Sequence, residues 1–145
     1  MRVESSNRPS RAYAPGVSPD PAVVLLVDDE PVLLRILEVN LRLAGFDVCT
    51  ASTGAGAIES AGGEPPPDVV VLDLGLPDLS GWEVLARLRG IDGLERTPVV
   101  VLSGSDRDAA GEPGYAADVH AFLTKPVEPA DLVEIVRRAI ARTDV

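Results

Sequence analysis

The sequence predicts a doubly wound α/β fold, a parallel sheet with helices on both faces. Three observations predict it. Short β-branched runs that are apolar at every position recur along the chain, as strands buried on both faces require. Amphipathic helix patterns lie between them. The length of 145 residues and the hydrophobic content of 46% suit one domain, by the rough prior of 100–200 residues each, with enough bulk to bury a core.

Residues 1–21 are polar, rich in Ser, Pro and Arg, and lack apolar periodicity. They predict a disordered arm ahead of a domain at 22–143. The run Val23-Val24-Leu25-Leu26-Val27 is the first strand and stops at Asp28. Leu33, Ile36, Leu37 and Leu41 then share one helical face, with Pro31 suited to the first turn. Phe46 to Thr50 is a second, weaker strand. It carries Cys49, expected as a small buried apolar residue. Residues 53–62 read as a poorer helix, diluted by Gly54 and Gly56. Val69 to Leu72 is the third strand and stops at Asp73. Ser80 and Glu83 have capping-box spacing before Val84, Leu85, Leu88 and Ile91, with Trp82 as packing or surface in that first turn. Val99 to Leu102 is the fourth strand, stopping at Ser103, and Ala121 to Thr124 the fifth, stopping at Lys125. His120, the single histidine, precedes the fifth strand and reads as structural. Pro129 opens a last helix with Leu132, Val133, Val136 and Ile140. Such alternation of strands and helices implies layered packing with right-handed crossovers.

Composition bounds the function. A net charge of -10 argues against a general grip on nucleic acid, which needs clustered Lys and Arg. It suits cations, basic surfaces or specific partners. One cysteine permits no intramolecular disulfide, so a cytoplasmic protein is the simplest expectation. No stretch approaches the ~20 apolar residues of a membrane span, and the first residues lack the apolar core of a secretory signal. The chain has twelve arginines and one lysine, Lys125. A compact ammonium there has uses a guanidinium fork does not.

In an open parallel sheet, ligands bind beyond the carboxyl ends of the strands. Asp28, Asp29, Asp73, Ser103 and Lys125 end the strands, so three carboxylates, a hydroxyl and an ammonium converge. Each alone has an ordinary reading as a turn former, helix cap or strand end; all together at one edge do not. Clustered carboxylates repel unless a divalent cation intervenes, and hard oxygens at a partly solvated site fit Mg²⁺. A carboxylate beside the metal can attack a phosphoryl group. Metal, hydroxyl and ammonium would then balance the arriving charge.

These residues resemble the receiver domains of bacterial two-component response regulators. The matching motifs are Val27-Asp28-Asp29-Glu30-Pro31, Asp73-Leu74-Gly75-Leu76-Pro77 with Gly81, Ser103-Gly104 and Lys125-Pro126. Their separations, 44 from Asp29 to Asp73, 30 on to Ser103 and 22 on to Lys125, are also similar to the family's. The resemblance covers about Ala22 to Arg142. It implies a flavodoxin-like five-stranded sheet in the order 2-1-3-4-5. It implies that Asp73 is the phosphoacceptor and that Asp28 and Asp29 hold Mg²⁺ with Asp73 and the Gly75 carbonyl. Ser103 would be the mobile hydroxyl, Lys125 the charge partner with a cis bond to Pro126, and Phe122 the aromatic switch. A sensor histidine kinase or phosphotransfer protein would donate the phosphoryl group, and an unidentified downstream protein would read it. The domain would catalyse only its own phosphorylation and dephosphorylation.

The segment from Ser105 to Tyr115 departs from the family pattern. Gly111, Pro113 and Gly114 weaken a helix, Pro by ~3 kcal/mol and each Gly by ~1 kcal/mol. The fourth helix is expected to be short, irregular or ordered only with a partner, and a homodimer is left open. Competing classes fit less well. A constitutive interaction module predicts a broken acidic pair, acceptor or lysine, and all are intact. A flavin site needs a phosphate loop where Asp28-Asp29-Glu30 stands. A metal-dependent phosphohydrolase usually has a second Asp where Gly75 stands, and a substrate cap. The expectation is a stand-alone phospho-switch without a DNA-binding output domain or direct contact with nucleic acid or membrane. A piece of a longer regulator or hybrid kinase is the other architecture that fits.

Overall fold

The computed structural model describes residues 20–104 and 118–143. The predicted arm, except its last two residues, and the predicted weak helix after Ser103 lie outside the described residues. The elements are β1 (Val23–Val27), α1 (Pro31–Leu43), β2 (Asp47–Ala51), α2 (Gly54–Ala61), β3 (Val69–Asp73), α3 (Gly81–Arg89), β4 (Val99–Ser103), β5 (Ala121–Thr124) and α4 (Pro129–Thr143). All strand pairs are parallel, in the order β2-β1-β3-β4-β5. This is the doubly wound, flavodoxin-like sheet the sequence leads one to expect.

The apolar runs form strands because both of their faces are covered. Every residue of β1, β3 and β4 is buried. Alternation along each strand then separates two cores. Val24, Leu26, Val69, Val71, Val100 and Leu102 face Leu37 and Leu41 of α1 and Leu132, Val136 and Ala139 of α4. Leu25, Val27, Val70, Leu72, Val99 and Val101 face Ala57 and Ala61 of α2 and Val84, Leu85 and Leu88 of α3. Each such Val or Leu contributes about 1.5–3 kcal/mol by leaving water.

The edges depart from the sequence expectations. Cys49 is exposed rather than buried. It lies on β2, an edge strand on which only Val48 is buried. Ile36 was expected on the core face of α1, yet it is 45% exposed while Leu37 and Leu41 are fully buried. It belongs instead to an outward stripe with Val32, Val39 and Leu43.

The helix starts show how sequence fixes local structure. Pro31 occupies the first turn of α1, where its missing N–H costs nothing. The weak α2 is rescued at its N-terminus. The Thr53 side chain accepts from Gly56 N–H at 3.0 Å, and the Asp78 carboxylate takes the Gly54 and Ala55 N–H groups at 2.8 and 3.0 Å. Gly54 is not mere dilution, because a Cβ there would lie 2.9 Å from both Leu79 Cβ and Val84 Cγ2. In α3 the Ser80 hydroxyl accepts from Glu83 N–H at 3.1 Å, one half of the predicted box. The Glu83 carboxylate instead pairs along the helix with Arg87 at 2.8 Å. No described helix is long and apolar enough to cross a membrane.

Candidate functional site

The parallel strands end on one rim and deliver their last residues together. Asp28 follows β1, and its Oδ1 accepts from Glu30 N–H at 2.9 Å, which tightens the turn into α1. Asp73 closes β3, and its Oδ1 accepts from Gly75 N–H at 3.1 Å. Ser103 closes β4 and is paired in register with Thr124, while Lys125 N–H donates to the Ser103 carbonyl at 2.8 Å. Asp28, Asp73 and Ser103 are the buried polar residues of the described chain, so the interior's polar content is concentrated at this rim. Asp29 is exposed beside them.

Carboxylate oxygens of Asp28, Asp29 and Asp73 all lie within 4.8 Å of one another. The Lys125 ammonium stands among them, 3.1 Å from Asp28 Oδ2, 3.4 Å from Asp73 Oδ2 and 2.6 Å from Glu30 Oε2. Three carboxylates therefore share one ammonium. Burial pushes the Asp73 carboxyl above its ordinary value. The Gly75 N–H pulls it down, the Asp28 charge raises it further and Lys125 lowers it, with burial and Asp28 prevailing. Burial works against the Lys125 charge, but Glu30, Asp28 and Asp73 outweigh it and hold the ammonium above its usual range.

The donor set fits a hard divalent cation. Asp28 Oδ2 is buried and accepts no hydrogen bond of good direction, although Lys125 Nζ is near. Opposite ligands of Mg²⁺ stand about 4.2 Å apart, and the ion keeps several waters. A set spread over as much as 4.8 Å can therefore hold it with some carboxylates direct and another through water. Gly75 meets Asp73 through its N–H.

Phe122 is 37% exposed and is not packed as a core residue. Its ring lies 6.2 Å from that of Trp82, tilted by 56°. The Lys125–Pro126 peptide bond is cis. His120 is engaged at the opposite rim, its N–H donating to the Val99 carbonyl at 2.8 Å.

Three residues were not assigned to this neighbourhood from sequence. Glu30 is the shortest partner of Lys125, and its signal was its place in the acidic run. Asp78 ties the loop after β3 to α2; nothing in its local sequence marks that partner. Trp82 is buried against Phe122, and the pairing spans forty residues of sequence.

Comparison with known proteins places this geometry. Residues 24–137 match the response regulator receiver domain family. The transcriptional regulatory protein KdpE of Mycobacterium tuberculosis is 45% identical over 120 residues, covering 83% of this chain and 51% of that protein. The transcriptional regulatory protein PrrA of Mycobacterium bovis is 41% identical over 119 residues, covering 82% of this chain and 50% of that protein. The CheY-like response regulator receiver domain protein of Methanospirillum hungatei has a TM-score of 0.76 at 23% identity, covering 86% of this chain and 97% of that one, a likeness of fold alone. The chain spans about half the length of the curated relatives it matches.

Proposed function

Because the chain belongs to the response regulator receiver domain family, we propose that Asp73 accepts a phosphoryl group and that the domain signals by the change of shape that follows. One observation carries the reading. Asp73 is a strand-end carboxylate, 3% exposed, with two further carboxylates within 4.8 Å and an ammonium at 3.4 Å.

A sensor histidine kinase or phosphotransfer protein is the donor. An Asp73 oxygen forms the new P–O bond, the P–N bond to the donor imidazole breaks, and the imidazole keeps the electron pair and takes a proton. Asp28, Asp29, Asp73 and the Gly75 carbonyl are the proposed Mg²⁺ ligands; Mg²⁺ bound there neutralises charge on the transferred oxygens. Lys125 holds the remaining charge as a point cation. The Ser103 hydroxyl moves to donate to a phosphoryl oxygen, and Phe122 turns inward behind it. Water later attacks the phosphorus, the P–O bond to Asp73 breaks, inorganic phosphate leaves and the free carboxylate returns, so the domain turns over its own phosphoryl group. The outward stripe of Val32, Ile36, Val39 and Leu43 begins one residue past Pro31 and suits an apolar partner surface at the rim.

We take residues 22–143 as the domain, 1–21 as a preceding arm, and the cytoplasm as its compartment. The sequence features alone favour a stand-alone switch. The half-length match to transcriptional regulators favours a second architecture, a receiver joined to a DNA-binding output; the size of the native protein on an immunoblot decides between them. The central reading is tested with acetyl phosphate and Mg²⁺, followed by intact-mass measurement. One phosphoryl group is expected on the wild type and none on Asp73→Asn. No gain in the wild type, or an equal gain in the variant, overturns it.

A further inference from the structure

Trp82 closes a ring of contacts that begins and ends at Asp73. The Gly81 N–H donates to the Leu74 carbonyl at 3.1 Å. A Cβ on Gly81 would lie 2.7 Å from Leu74 Cα and 2.8 Å from the Asp73 carbonyl oxygen. The start of α3 is thus packed closely on the Asp73 and Leu74 backbone, with Leu74 Cδ2 also 2.7 Å from that Cβ position, so a displacement there has little slack. Trp82 is the next residue. It is 7% exposed, and its ring meets Phe122 at 6.2 Å. Phe122 lies three residues before Lys125 on the chain that carries the ammonium back to Asp73 Oδ2 at 3.4 Å. The far end of α3 holds the same stretch: Arg89 Nε donates to Asp118 Oδ2 at 2.7 Å, ahead of β5. Between these two fixed ends, the Trp82–Phe122 contact is a weak link, a tilted ring pair worth about 0.5–1.5 kcal/mol beyond its buried area. Phe122 is 37% exposed on its other side.

We propose that Trp82 is a positioning residue that couples events at Asp73 to the Phe122 ring, through the close packing of Gly81 on Asp73 and Leu74. The inference rests on the proposed acceptor role of Asp73. A displacement at Asp73 moves the first turn of α3, the indole moves with it, and Phe122 loses or changes its neighbour. Because Trp82 is the only tryptophan, its emission reads the contact directly.

The test combines intact mass and tryptophan emission on the same sample, with acetyl phosphate and Mg²⁺. The emission change per phosphoryl group incorporated should be clear in the wild type, at least halved in Phe122→Leu, and restored in Phe122→Tyr. Amide exchange over residues 118–125 gives a second readout. Its change on phosphorylation should persist in Trp82→Phe and vanish in Trp82→Ala. A full mass gain with unchanged emission overturns the coupling while the acceptor role stands. An undiminished response in Phe122→Leu, or the wild-type exchange response in Trp82→Ala, also overturns it. Failure of the mass gain itself removes both readings.

Discussion

At the amino rim of the sheet, Asp68 and Arg89 are matched to partners. The Asp68 carboxylate takes the Val23 N–H at 2.7 Å. The Arg89 guanidinium takes the Leu94 and Thr97 carbonyls at 3.0 and 2.6 Å and the Asp118 carboxylate at 2.7 Å. At the carboxyl rim, Asp28, Glu30 and Asp73 crowd around Lys125, Asp29 adds a further carboxylate beside Asp28 and Asp73, and Asp28 Oδ2 is buried without a good hydrogen bond. The same sheet thus has one rim where Asp68 and Arg89 hold the fold and another where carboxylates outnumber the ammonium they share. Buried polar groups in proteins are normally satisfied, so the excess marks where a cation and a transferred anion would be accommodated.

Three experiments would break or sharpen that contrast. The largest effect is expected at the carboxyl rim. Mg²⁺ at a hundredfold excess over its Kd should stabilise the wild type by about 2.7 kcal/mol, read by urea denaturation with and without the ion. Asp28→Asn should lose most of that gain. Equal stabilisation of the variant would mean that the rim does not hold the ion through Asp28.

Next comes the amino rim. Arg89→Ala removes charge-assisted bonds to three carbonyls and a carboxylate and should cost about 2 kcal/mol of stability. Its response to Mg²⁺ should match the wild type's, because Arg89 touches no carboxylate of the other rim. A stability loss confined to Mg²⁺ conditions would contradict the division of labour.

The smallest effect lies in the loop after β3, at Asp78. The Gly54 and Ala55 N–H groups hold its carboxyl below the ordinary value. A depressed folded-state value favours the folded protein above the unfolded carboxylate pKa of about 3.9. That contribution disappears as pH falls through the folded value. Asp78→Asn should therefore lower the melting temperature slightly at pH 7, and the gap should close in acid. A gap that is constant with pH would show that the charge of Asp78 is not what holds α2.

Much of this was legible in the sequence because burial on both faces writes itself into composition. The runs at Val23, Val69 and Val99 could be little else than central strands, and the strand-end rule then selected Asp28, Asp73, Ser103 and Lys125. The edges were less legible. Cys49 looked apolar and strand-like, but only strand order makes β2 an edge. Ile36 shares a helical face with Leu33 and Leu37 within the tolerance of the period, and the docking angle of α1 decided which side met the sheet. Gly54 looked like a weakness, although the closeness of Leu79 and Val84 requires it.

By itself, then, the sequence determined the alternation of strands and helices and the identities of the groups at the carboxyl rim, since periodicity and strand ends are local properties. Only the tertiary structure decided that Glu30 is the nearest partner of Lys125 at 2.6 Å across 95 residues, that Asp78 holds α2, and that Trp82 meets Phe122. Those contacts depend on how the parallel strands line up and how α3 packs on them. Register and packing are set by the whole core at once, so no short stretch of sequence encodes them.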